Sequence, residues 1–115
     1  MSGMRFSRGL KDSASVFAAL GDETRLALVA RLSEGEPLSI TRLSSGSSVT
    51  RQAITKHLHV LAGAGVVRGF RHGREQLWEL ERHRLDEAKR SLDVIALQWD
   101  NALAGLKALV EKDPQ

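Results

Sequence analysis

Arg51, Gln52, Thr55, Lys56 and His59 fall on one side of a helical stretch whose other side carries Ile54, Leu58 and Leu61. The polar side holds no carboxylate. A solvated helix ordinarily mixes both charge signs, so this face is suited to holding an anion rather than to acid–base or nucleophilic chemistry. Gln52 can pair bidentately with an adenine edge, and Arg51 or Lys56 can engage guanine or phosphate. Thr50 and Thr55 are short enough to let a helix approach a groove closely, with hydroxyls available to phosphate and methyls to thymine. His57 and His59 can donate to phosphate without being charged.

A second basic group follows. Arg71, His72 and Arg74 lie within four positions of one another, a density of cations suited to the negative potential of a minor groove. From Pro37 to Arg74 there is no Asp or Glu, while Arg42, Arg51, Lys56, Arg68, Arg71 and Arg74 lie there with His57, His59 and His72. The net charge of +3 and isoelectric point near 9.8 are only mildly basic. The segregation of charge along the chain says more than its sum.

Elements that would position these groups can be read from caps and periods. Residues 12–20 form a short amphipathic helix with Val16, Phe17 and Leu20 on one stripe, ended by Gly21. Asp22 caps a second helix over 23–33, in which Leu28, Val29 and Leu32 point inward and which Gly35 and Pro37 terminate. Ser39 caps a third, with Ile40 and Leu43 inward and Gly46 closing it. Thr50 caps a fourth that runs to about Ala64 before Gly65 stops it. Extended segments over 66–71 and 76–80 then flank His72-Gly73-Arg74-Glu75, a hairpin with a basic tip.

From Leu85 to Val110 the helical period returns. Leu85, Leu92, Trp99 and Leu106 recur seven residues apart, interleaved with Ala88, Ile95, Ala102 and Leu109. Such a helix spans about 36 Å, more than the small body formed by the other elements can cover, so a second copy of the chain is the expected partner of the seam.

At 115 residues the chain is read as one domain over 1–115, with 12–80 as core and wing and 83–112 as a C-terminal dimerisation helix. The fold class is mainly α with a small β-hairpin, a winged helix-turn-helix. There is no cysteine, which removes disulfides and thiolate metal sites. No stretch approaches the ~20 apolar residues that span a bilayer, and the start Met1-Ser2-Gly3-Met4-Arg5 lacks the apolar core of a signal peptide. A cytoplasmic protein without membrane association is expected.

The segment Ala19-Leu20-Gly21-Asp22-Glu23-Thr24-Arg25-Leu26, the helix from Thr50 to Leu58, the exit Ala64-Gly65-Val66-Val67 and the wing Gly73-Arg74-Glu75 together resemble the ArsR family of bacterial transcriptional repressors over about Ser13 to Leu80. A dimer on the seam would pair two reading helices and implies a homodimer on an inverted-repeat operator in double-stranded DNA, its release left open between a small molecule, a partner protein, a non-consensus metal site and its own concentration. The resemblance implies that the wing approaches DNA, with Arg74 ahead of Arg71 and His72 and Arg68 below all three, and that the first and last helices form the dimer interface, here through Val16, Phe17, Leu92, Ile95, Trp99, Leu103 and Leu106.

Metal sensing is the activity best known for that family, and the chain departs from its ligand patterns. Where thiolate-using members carry cysteines, Ser39 and Thr41 stand. On the last helix the nearest approach to the carboxylate–imidazole arrangement is His83 with Asp86 and Glu87, and no histidine follows one or two turns later. No metal and no cofactor are expected. Nor is an enzyme, since Gly-x-Ser-x-Gly, His-Glu-x-x-His and phosphate-cradling glycine motifs are lacking. The competing reading is a winged-helix module that docks to protein, against which stands the carboxylate-free face.

Overall fold

The computed structural model describes residues 8–112; the start at Met1 to Arg5 lies outside them. The first helix, α1, covers Arg8–Leu20 and begins four residues before the Asp12 expected from sequence. Ser13, Val16 and Ala19, three apart, form its buried stripe. The Asp22 carboxylate accepts the Arg25 backbone N–H at 3.0 Å and opens α2, Glu23–Leu32. Ser33 caps its far end, returning its hydroxyl to the Val29 carbonyl at 2.7 Å.

Sequence reasoning missed one element. Leu38–Ser39 forms a two-residue strand, β1, that pairs antiparallel with the second wing strand through Leu38↔Trp78 and Ser39↔Leu77. Two residues show no alternation, so only the partner strand reveals them. Ser39 then serves twice: it ends β1, and its hydroxyl accepts the Arg42 N–H to start α3, Ile40–Ser44.

Helix α4, Arg51–Gly63, is capped by the Thr50 hydroxyl, which accepts the Ala53 N–H at 3.1 Å. Its exit is a Schellman closure, in which Val66 N–H donates to the Leu61 carbonyl and Gly65 N–H to that of Ala62, both at 3.0 Å. Gly65 sits at φ +77°, and a Cβ there would stand 2.9 Å from Arg84 Cγ. Arg84 cannot easily yield, because its Nη1 is held by the Asp12 carboxylate at 2.9 Å. Gly65→Ala is therefore expected to lower unfolding free energy by about 1–2 kcal/mol, read as a reduced denaturant midpoint at unchanged slope.

The wing comprises β2, Val67–His72, and β3, Glu75–Leu80, in register from Val67↔Leu80 to His72↔Glu75. Gly73 and Arg74 are left as a two-residue turn. Gly73 at φ +64° in the first central position is the arrangement a type II′ turn demands. The sheet order is β1-β3-β2. Val16, Leu28, Leu32, Leu43, Ile54, Leu58, Leu61, Val66 and Trp78 meet in one interior cluster bounded by α1, α2, α3, α4 and this sheet.

The last helix, α5, covers Arg82–Lys112, about 46 Å at the usual rise. It runs against α1, where Ser13 and Ser91 hydroxyls meet at 2.9 Å. Ala88 is the last of its residues in the core; from Leu92 through residue 111 every side chain is exposed. The molecule is accordingly 71 Å long but only 38 × 22 Å across. No helix among the described residues is long and apolar enough to cross a membrane.

Candidate nucleic-acid interface

Burial of Ile54, Leu58 and Leu61 fixes the rotation of α4, and so decides which side chains it presents to solvent. Arg51, Gln52, Lys56 and His59 are exposed, and Thr55 is half-buried. Their freedom differs. Arg51 Nη2 donates to the Thr41 hydroxyl on α3 at 3.0 Å, which pre-sets its guanidinium and leaves other N–H groups for a ligand. Thr55 donates to the Arg51 carbonyl at 2.9 Å, so its oxygen retains only acceptor capacity toward a partner. Thr50 is the reverse: its oxygen accepts in the cap and its own O–H remains a donor.

One of the two α4 histidines departs from the sequence reading. His57 is 24% exposed and turns inward, with Nδ1 3.3 Å from Arg25 Nη1 and 3.9 Å from the Asp22 carboxylate. It belongs to the support of α4. His59 is exposed, yet its ring stands edge-on to Trp78 of β3 with centroids 5.8 Å apart, joining α4 to the wing sheet.

At the wing tip Arg71, His72 and Arg74 are all exposed. Glu75, directly across from His72, is the first carboxylate after the acid-free segment. Arg68 does not join them. It forms an ion pair with Glu79 on the facing strand and lies 5.8 Å over the Phe70 ring. The hydrogen bond and charge of Glu79 raise its pKa further above the ordinary arginine value, so Arg68 is a neutralised structural cation.

Sequence reasoning missed Thr41, which braces Arg51, and the pair Asp22 and Arg25, which hold His57. The only signal for the pair was the cap spacing. The Asp22 carboxyl is held below the usual carboxylate range, chiefly by the Arg25 backbone N–H, against a smaller opposing effect of burial.

Side chains at the places matched to the family's thiolate ligands are engaged within the chain. The Ser39 hydroxyl is spent on the α3 cap and that of Thr41 on Arg51. His83 and Glu87 approach to 3.8 Å on α5, and no third His, Asp or Glu completes a group among the described residues.

Of the interface residues expected on α1 and α5, Leu92, Ile95, Trp99, Leu103 and Leu106 keep between 46% and 64% of their surface exposed. Phe17 is half-buried against the core. Val16 has no exposed surface, so it anchors α1 to the core and is not available to a partner.

Two helices joined by a short connection, the second with a cationic outer face, and a hairpin with a basic tip define a winged helix-turn-helix. Comparison with known proteins agrees. The helix-turn-helix domain family HTH_20 matches residues 20–69. The HTH-type transcriptional regulator Rv2034 of Mycobacterium tuberculosis is 34% identical over 95 residues, 83% of this chain and 85% of that protein. The HTH-type transcriptional repressor SmtB of the same organism is 34% identical over 97 residues, 84% of this chain and 70% of its own. An ArsR-like transcriptional regulator from Rhodococcus sp. RHA1 superposes with a TM-score of 0.75 at 37% identity, covering 87% of this chain and 93% of that one. The chain belongs to the ArsR family of winged helix-turn-helix transcriptional regulators. It is a DNA-binding regulator and not an enzyme.

Proposed function

We propose that the chain is a cytoplasmic repressor that binds an inverted-repeat operator as a homodimer and reads it through Gln52, Arg51 and Lys56 of α4, with Arg74, Arg71 and His72 of the wing on the phosphate backbone. The observation that carries this reading is the exposed, carboxylate-free face of α4, with Arg51 already braced by Thr41. Dimerisation rests on the uncovered α5 seam at Leu92, Ile95, Trp99, Leu103 and Leu106. A two-fold axis would set paired reading helices about 34 Å apart, one turn of duplex. An effector, small molecule or protein, releases the operator by favouring a dimer geometry in which that spacing is lost.

Selecting bound duplexes from a random pool with metal-stripped protein tests the reading. Recovery of an inverted repeat is expected; recovery only after zinc is added would show that a metal completes the regulator. On the recovered site, Gln52→Ala is expected to relax preference at one base position by about 1–3 kcal/mol. Arg74→Ala should weaken binding to all sequences alike and reduce the slope of log affinity against log salt by about one. Unchanged titrations for both variants would remove this face from the interface.

A further inference from the structure

Building on α4 as the reading helix, we propose that Arg25 is its positioning residue, spanning from the end of α1 to His57 and thereby setting where α4 presents Gln52 and Lys56. Arg25 Nε donates to the Ala19 carbonyl at 2.6 Å, one of the last four carbonyls of α1, which a helix leaves without internal partners. Its Nη1 lies 3.3 Å from His57 Nδ1. A guanidinium only donates, so in this bond Nδ1 is the acceptor and the ring N–H is on Nε2. One side chain of α2 thus ties α1, which lies along α5, to the inner face of the reading helix. A displacement of α1 on the dimer side is carried to α4 through it.

Asp22, from the α1–α2 turn, brings a carboxylate to 3.9 Å from the same Nδ1.

Two measurements test this. In the free protein, nitrogen NMR of the His57 ring at about pH 8 should show the Nε2–H tautomer; the Nδ1–H tautomer would refute the bond from Arg25. In duplex titrations, Arg25→Met and His57→Leu should each lose about tenfold in affinity. His57→Asn, which keeps an acceptor near the Nδ1 position, should recover most of that loss, and this second site guards against misfolding of the Arg25 variant. Wild-type affinity in Arg25→Met, or no recovery in His57→Asn, would overturn the proposal. A wild-type protein that binds no duplex at any pH would instead overturn the reading of α4, while the tautomer still decides the bond.

Discussion

Leu106→Asp is expected to convert the protein from dimer to monomer and to lower operator affinity by about two to four orders of magnitude, the usual gain from joining two heads on one ligand. In a single chain the Leu106 side chain is 60% exposed, far from the core, so a carboxylate there costs the monomer almost nothing. Any large effect must come from a surface that covers the position. In the dimer the charge would sit among Trp99, Leu103 and their two-fold mates, where an unpaired carboxylate is strongly disfavoured. Sedimentation equilibrium measures the association, circular dichroism shows that the helix persists, and titration against one and two half-sites separates lost avidity from lost contact. If the variant remains a dimer, the seam lies elsewhere on α5. Affinity for an isolated half-site should change little.

Leu58→Ala should have the largest effect on the fold itself. Leu58 has no exposed surface and lies on the inner stripe of α4 with Ile54 and Leu61. Removing its branched end leaves a cavity that α1, α2 and the wing cannot all close at once, at a cost of about 3–5 kcal/mol. That is a large share of the roughly 5–15 kcal/mol by which a domain is stable, and the melting temperature should fall by on the order of 10–20 °C. Leu58→Met, which conserves volume, should cost less than about 1.5 kcal/mol. A Leu58→Ala protein that melts like wild type would mean that α4 is rotated away from the core, and with it every assignment on the outer face.

How much of this was legible beforehand depended on the range of the interactions involved. Asp22, Ser39 and Thr50 were readable as caps because a side chain bonding a backbone N–H three residues ahead is a local event. Gly65 and Gly73 were readable as stops and turns for the same reason. The α4 face was legible because three apolar residues at helical spacing determine which residues must point out. Strand β1 was not, because its existence depends on Trp78 and Leu77, some forty residues later.

The candidate site shows the same division. Residue types along the chain were enough to bring out a basic helix and a basic hairpin tip, and to leave out thiolate ligands and catalytic motifs. They could not show that Arg68 is cancelled by Glu79, since the pairing rests on a strand register eleven residues apart in sequence. Nor could they turn His57 inward to Arg25, bridging 32 positions, or distinguish Val16, sealed in the core, from the seam residues that α5 leaves uncovered. Caps, turns and faces follow from bonds within one turn of helix or one hairpin, and the order of residues determines them. Which cations remain free, and which apolar groups still need a partner, depends on what distant segments bring alongside, and only the packed tertiary structure decides that.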